Sequence, residues 1–75
     1  MHYLIINNQV AHVSKYLRGA LEPLEDFKNL SGLSKYNAIA KQIQKSGFYT
    51  VSAFLTDDKL NKIPIVITIQ KYSEN

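Results

Sequence analysis

Hydrophobic and polar residues alternate along the last third of the chain. Isoleucine recurs at every second position of one segment, at Ile63, Ile65, Ile67 and Ile69. This alternation predicts a β-strand with one strongly apolar face, and Pro64 is expected at its start or on a free edge because proline donates no backbone hydrogen bond. Residues 48–55, FYTVSAFL, are rich in strand-forming types, and Asp57-Asp58 supplies turn chemistry between the two segments. The two segments are therefore predicted to pair as an antiparallel hairpin.

A helical spacing of apolar residues precedes this hairpin. Apolar side chains occur at positions i, i+3, i+4 and i+7, namely Tyr36, Ile39, Ala40 and Ile43. This spacing places them along one side of a helix. The hydroxyl of Ser34 can cap the N-terminus, and Gly47 can end the helix in a left-handed conformation. We therefore predict an amphipathic helix over residues 34–46.

The first third of the chain is predicted to contain a strand and another helix. Residues 2–7, HYLIIN, favour a strand with apolar side chains on both faces. Asn8 can cap the helix that follows, and Pro23 favours a helix end at the preceding residue. The apolar stripe of this predicted helix is Val10, Val13, Leu17 and Leu21. Residues 23–33 are expected to form a connector that packs inward.

The predicted order is strand, helix, helix, strand, strand. This order indicates an α+β two-layer sandwich in which two helices cover one face of a mixed three-stranded sheet. The helices are expected to pack on the apolar side chains of the last two strands. The other face of the sheet is then left without a helix.

Residues 39–55 also resemble a helix-turn-helix unit. The segments IAK and TVSAFL, at residues 39–41 and 50–55, are similar to the corresponding segments of that motif. The resemblance implies a DNA-reading helix at residues 48–55. The match departs from the pattern because Thr50-Val51 comes one place late, and because the exposed side chains would be Tyr49, Thr50 and Ala53, which lack the groups that read base edges. We therefore favour a strand here and keep the helix-turn-helix as the alternative.

Length and composition predict one small globular domain over residues 1–75. The chain has 75 residues, of which 45% are hydrophobic and 20% are charged. It contains no cysteine, so disulfides and thiol chemistry are excluded. The apolar run of residues 3–6 is too short for the core of a signal peptide or for a membrane span. We expect a cytoplasmic protein with no membrane partner, located in the host cytoplasm if a phage encodes it.

The residues that could carry catalysis occur without supporting partners. His12 has no Asp, Glu or His four residues away on its predicted helix, so no helical metal pair is expected. Asp57-Asp58 is interpreted as a solvated turn rather than as a pair of catalytic carboxylates. The three glycines, at positions 19, 32 and 47, form no phosphate-binding loop. We predict that the protein is not an enzyme and uses no cofactor or metal.

Two surfaces are candidates for binding a partner. Three lysines make the second predicted helix basic, which indicates either an ordinary solvated face or a platform for phosphates or an acidic protein. The sheet face without helices mixes hydroxyl and aromatic side chains, a composition that suits a partner protein or a second subunit. The candidate residues are Lys35, Lys41, Lys45, Thr50, Ser52, Phe54, Thr68 and Gln70.

These features lead to a hypothesis of protein binding. The complete small core, the uncovered sheet face and the lack of catalytic motifs favour a non-enzymatic interaction factor that forms a homodimer. The abundance of Ile, Asn and Lys is frequent in phages with AT-rich genomes, so we expect a phage or mobile-element protein that binds and inhibits a host protein. The alternative is a regulator that binds nucleic acid through its basic helix or a helix-turn-helix at residues 36–55.

Overall fold

Four antiparallel strands form one sheet in the spatial order β2-β1-β4-β3. The structure is a computed structural model, which describes residues 1–72. The strands are β1 (His2–Ile6), β2 (Gln9–Ser14), β3 (Phe48–Thr56) and β4 (Lys62–Lys71). The helical elements are α1 (Leu17–Leu21), a 3₁₀ turn (Glu22–Asp26) and α2 (Tyr36–Ser46).

The α+β class, the predicted amphipathic helix before Gly47, which spans Tyr36–Ser46, and the antiparallel hairpin of the last two strands are confirmed. In the hairpin, β3 and β4 pair without a break from Phe48–Gln70 to Thr56–Lys62. At the end of α2, Gly47 adopts a left-handed conformation (φ 82°) and its N–H donates to the Ile43 carbonyl over 2.7 Å. Glycine suits this position because it has no Cβ to clash in that conformation.

The N-cap predicted for α2 is wrong. Lys35 occupies the cap position, and no side chain caps the helix there. Ser34 instead binds the Tyr49 hydroxyl, which accepts the Ser34 N–H over 3.1 Å and donates to the Ser34 Oγ over 3.0 Å. The serine therefore ties the connector to β3 rather than to the helix.

The prediction of a helix starting after Asn8 is wrong, and with it the mixed three-stranded sheet. Asn7 and Asn8 both have positive φ, 50° and 67°, and form a two-residue turn between the paired Ile6 and Gln9. Asparagine tolerates this left-handed conformation, and the two-residue turn with both φ values positive matches the right-handed twist of a hairpin. The chain therefore continues into β2, and only Leu17–Leu21 is α-helical in this part of the chain.

A bulge in β2 explains why its sequence has a helical spacing. The register with β1 shifts between Leu4–His12 and Ile5–Val10, which leaves Ala11 as an extra residue. An extra residue reverses the alternation of the strand, so Val10 and Val13 lie on the same face although they are three positions apart. That spacing also occurs on one side of a helix.

The hydrophobic core lies between one face of the sheet and the helices. The core contains Leu4 of β1, side chains of β3 and β4, and side chains from the helical layer. These fully packed residues are Leu4, Leu24, Ile39, Ile43, Tyr49, Ala53, Ile65, Ile67 and Ile69. Phe27 and Leu30 of the connector pack against them, as expected for a connector that packs inward.

Pro64 lies on a free edge of β4, as predicted. Its partner across the hairpin is Phe54, whereas β1 reaches only as far along β4 as Ile67, which pairs with Ile6. The pyrrolidine nitrogen therefore costs no ladder hydrogen bond. Beyond the end of β1, the β3–β4 hairpin continues as a two-stranded arm.

Candidate functional site

One face of the sheet is not covered by helices, and we call it the open face. Successive side chains of a strand point to opposite sides, so the neighbours of the buried residues belong to this face. Strand pairing then places fourteen side chains on it: Tyr3, Ile5, Val10, Val13, Phe48, Thr50, Ser52, Phe54, Thr56, Lys62, Pro64, Val66, Thr68 and Gln70.

Five of the eight predicted binding residues lie together on the open face. Thr50 and Thr68 are directly opposite each other, and their Oγ1 atoms form a hydrogen bond of 3.0 Å. Gln70 follows on β4, while Ser52 and Phe54 continue along β3. The alternation that predicted β3 and β4 therefore also predicted which of their side chains share a surface.

Large apolar side chains are exposed on the open face. The exposed fractions are 58% for Val10, 43% for Val66, 40% for Phe48 and 38% for Phe54. At one end of the face the rings of Tyr3 and Tyr72 pack edge to face, with centroids 4.8 Å apart. Several exposed apolar side chains on one face are typical of surfaces that bind other proteins.

Charged groups are nearly absent from this surface. Lys62 is the one charged side chain among the fourteen. Lys62 stands at the distal end of the face, where its Nζ lies 5.9 Å from the centre of the Phe54 ring. The centres of protein interfaces are likewise depleted in charge, because an unpaired charge is costly to desolvate.

The three predicted lysines lie elsewhere. Lys41 and Lys45 are exposed on α2, and Lys35 is exposed at its N-cap. Because Ile39 and Ile43 of α2 pack on the opposite side of the sheet from Thr50, these lysines belong to the helical layer. The eight predicted residues thus form two separate surfaces, since sequence spacing does not tell on which layer a helix presents its charges.

Residues 48–56 are a strand, so the recognition helix implied by the helix-turn-helix resemblance is not formed. Thr50 and Ser52 point to the open face, whereas Val51 and Ala53 point to the core side. The segment TVSAFL therefore lies in a β-strand. The strand interpretation of this segment is confirmed.

Two valines of the open face were missed by the sequence pattern. The sequence pattern predicts Val10 and Val13 in the buried stripe of a helix, whereas both extend the open face across β2. The signal that could have found them is the Asn7-Asn8 pair between two apolar segments, because two left-handed residues make a tight hairpin turn. The open face is consequently four strands wide instead of three.

Asp57 organises the turn between β3 and β4, as its sequence position indicated. Its Oδ1 accepts the N–H groups of Asn61 over 2.8 Å and Lys59 over 2.9 Å. These backbone hydrogen bonds, that from Asn61 foremost, lower the pKa of the Asp57 carboxyl below its ordinary value. They favour the ionised form, so this carboxylate is held as a turn former.

The helical layer contains a shallow cavity of about 410 Å³ between α1 and the start of α2. Four leucines and Ile39 line it together with polar and charged side chains, and the Arg18 guanidinium stacks over the Tyr36 ring at its rim, 4.4 Å from the ring centre. Within residues 1–72 no group of three or more histidines and carboxylates is arranged to hold a metal ion. In the same part of the chain no helix is long and apolar enough to cross a membrane.

Comparison of the chain with models of protein families, with curated proteins and with solved structures finds no match.

Proposed function

We propose that this chain is a non-enzymatic protein-binding factor that docks on a partner protein through its open face. The observation that carries the proposal is the combination of exposed valines and phenylalanines with a single charged side chain, Lys62, on a face four strands wide. Burial of such a surface is favourable at roughly 25 cal/mol per Å² of apolar area. The partner surface that fits it is a patch of similarly apolar character.

The size of the open face suits a single protein partner. The strands contribute 5, 6, 9 and 10 residues, which at about 3.3 Å per residue and a spacing of about 4.8 Å give an area of about 480 Å². The face therefore offers somewhat more than half of the roughly 800 Å² that each partner contributes to a standard interface. The two-stranded arm beyond β1 adds Phe54 and Val66 to one end of this contact.

We further propose that the chain is a phage or mobile-element protein that inhibits a host protein in the host cytoplasm by occupying the binding surface of that protein. The support for this setting is the small size of the chain and its usage of Ile, Asn and Lys. A non-enzymatic inhibitor of this kind needs only a stable scaffold and one complementary surface.

Lysine substitutions on the open face test the docking surface. Val66→Lys and Phe54→Lys each place a charge in the proposed contact, where desolvation opposes binding. Gln42→Lys is the matched control because it adds the same charge to an exposed position of α2. Each protein is used to capture partners from a lysate of the organism that carries the gene, after nuclease treatment.

The expected result is a discrete protein captured by the parent chain and by Gln42→Lys but lost with both open-face variants. Capture that survives both substitutions would contradict docking through the open face. A requirement for intact nucleic acid would contradict protein binding itself. Circular dichroism on the same samples shows that each variant is folded.

Nucleic-acid binding by the basic side of α2 is the second candidate. Within residues 1–72 the lysines of α2 form no ion pair, and no acidic residue occurs from residue 27 to residue 56. A 20-base-pair DNA duplex labelled for fluorescence anisotropy tests it. Binding should weaken steeply with salt and should be abolished by Lys41→Glu with Lys45→Glu, because each lost phosphate contact removes about one unit of salt slope. Unchanged binding in the double variant would exclude this surface.

A further inference from the structure

The free edges of the sheet differ in how they are protected. An edge strand exposes a row of unpaired N–H and C=O groups, which can pair with another chain. Folded proteins block such edges with bulges, prolines, charges or covering segments. An edge that lacks these features is therefore a candidate surface for adding a strand.

The edge formed by β2 is protected by its shape. The extra residue Ala11 creates a bulge that breaks the regular spacing of donors and acceptors. The strand has six residues and leads directly to α1, where Gly19 packs against the side chain of Ser14 without room for a Cβ. Regular pairing along β2 is thereby limited.

The edge of β4 beyond the end of β1 is protected because its backbone groups are missing or already hydrogen-bonded. Pro64 has no N–H to offer on the side that faces away from β3. The next donor on that side, the N–H of Val66, is bound by the Asn7 Oδ1 over 2.9 Å, and the Val66 carbonyl accepts the Asn7 N–H over 2.9 Å. An incoming strand would find no regular ladder there.

The connector covers the half of β3 that lies next to the β3–β4 turn. The N–H and C=O of Phe54 exchange two hydrogen bonds of 2.9 Å with Ser31, and the Thr56 carbonyl accepts from Asn29 over 3.5 Å. At Gly32 an added Cβ would lie 3.3 Å from the Ala53 Cα and 3.5 Å from the Ser52 carbonyl oxygen. The connector thus pairs with the edge at Phe54 and lies beside it as far as the Ser52 carbonyl, after which Ser34 approaches β3 on the helical side through the Tyr49 hydroxyl.

The half of β3 that follows Gly47, residues 48–52, has no strand or connector paired to its outer edge. The groups of Phe54 point outward, so by alternation those of Ser52, Thr50 and Phe48 also point away from β4. Among residues 1–72 the outward N–H and C=O groups of these three residues have no hydrogen-bond partner. The whole of β3 contains no charge, proline, glycine or bulge.

We propose that this bare edge, Phe48–Ser52, pairs antiparallel with the same segment of a second copy of the chain, with Thr50 on the two-fold axis. In this register Phe48 lies opposite Ser52 of the second copy, and Thr50 lies opposite its own equivalent. All three outward pairs are of the hydrogen-bonded type, which gives six backbone hydrogen bonds. The paired segment ends where the connector begins to cover β3 and where Gly47 turns the chain into α2.

A second copy suits this edge because the segment is complementary to itself. Its pairs would be Phe with Ser, Tyr with Val and Thr with Thr, so no like charges meet across the axis. The two-fold axis runs perpendicular to the sheet, which leaves both open faces on the same side of a continuous eight-stranded sheet. The pairing is independent of what the open face binds, and it would double that surface.

Single cysteines test the pairing because the natural chain contains none. In Thr50→Cys the two Cα atoms at the axis would lie about 5.5 Å apart, within the range that a disulfide spans. In Ser52→Cys the equivalent atoms would lie about 13 Å apart along the strands, too far for a disulfide. Val13→Cys reports on the bulged edge, and Thr68→Cys reports on packing of one open face against another.

The expected result under mild oxidation is rapid cross-linking of Thr50→Cys and at least tenfold slower cross-linking of the other three variants. Sedimentation velocity of the unmodified chain should show a monomer that becomes a dimer with increasing concentration, since an interface this small is weak. Cross-linking of any of the other variants as fast as Thr50→Cys would overturn the proposed pairing. A chain that stays monomeric at millimolar concentration would overturn it as well.

Discussion

The two faces of β4 show how the same sequence pattern leads to opposite environments. Ile67 is completely buried against the helical layer, whereas Val66 beside it is 43% exposed on the open face. Both are β-branched apolar residues that suit a strand equally well. What distinguishes them is the helical layer, which covers only one side of the sheet. The alternation of apolar residues in β4 therefore does not tell which of its two faces the helical layer covers.

The largest expected effect comes from truncating the buried side of this pair. Ile67→Ala removes packed methylene groups from the centre of the core and should lower the free energy of unfolding by about 2–5 kcal/mol. Val66→Ala, the matched change on the open face, should alter it by about 0.5 kcal/mol or less. Urea denaturation of the two variants measures both values. Equal losses would show that the open face is packed as tightly as the core.

A smaller contrast is expected for the hydroxyl groups of two tyrosines on opposite faces. Tyr49→Phe leaves the Ser34 N–H and Oγ without their partner at a partly buried position and should cost about 1 kcal/mol of stability. Tyr3→Phe changes the same atom on the open face and should have almost no effect. The difference between the two urea midpoints measures the contribution of the hydrogen bonds between Ser34 and the Tyr49 hydroxyl. A loss from Tyr3→Phe as large as that from Tyr49→Phe would contradict this assignment.

The smallest expected effect concerns the turn that joins the two longest strands and belongs to neither face. The pKa of Asp57 is lowered in the folded chain, so its stabilising contribution is present above the ordinary aspartate pKa, near 4, and is lost as the pH falls through the folded value. Asp57→Asn should therefore lose less stability than the parent chain between pH 6 and pH 2.5. The contribution is modest because water screens this exposed turn. Asp58→Asn is the control, and an unchanged pH dependence in Asp57→Asn would refute the role of the carboxylate.

The hairpin and α2 could be predicted because each has a local pattern with one structural interpretation. Four isoleucines at every second position are compatible only with a strand, and Gly47 marks the end of a helix whose stripe precedes it. The same alternation placed Thr50, Ser52, Phe54, Thr68 and Gln70 on one surface. These conclusions depend on residues that are close in the chain.

The first third of the chain could not be assigned in this way because its pattern has two interpretations. A bulge at Ala11 gives Val10 and Val13 the spacing of a helix, and Asn8 is acceptable both as a helix cap and as a turn residue. Pairing with β1, and through it with β4, decides between them. That pairing joins residues nearly seventy positions apart, such as His2 and Lys71.

The amino-acid sequence by itself determined the α+β class, the helix α2, the β3–β4 hairpin and the contrast between the apolar side and the mixed side of that hairpin. Within residues 1–72 the tertiary structure alone decided that the sheet has four antiparallel strands, that the basic residues of α2 lie on the layer opposite the open face, and that the outward backbone groups of Phe48, Thr50 and Ser52 have no partner. The physical reason is the range of the interactions. Side-chain periodicity and turn conformations are local, whereas coverage of a face or an edge depends on which distant segment packs against it.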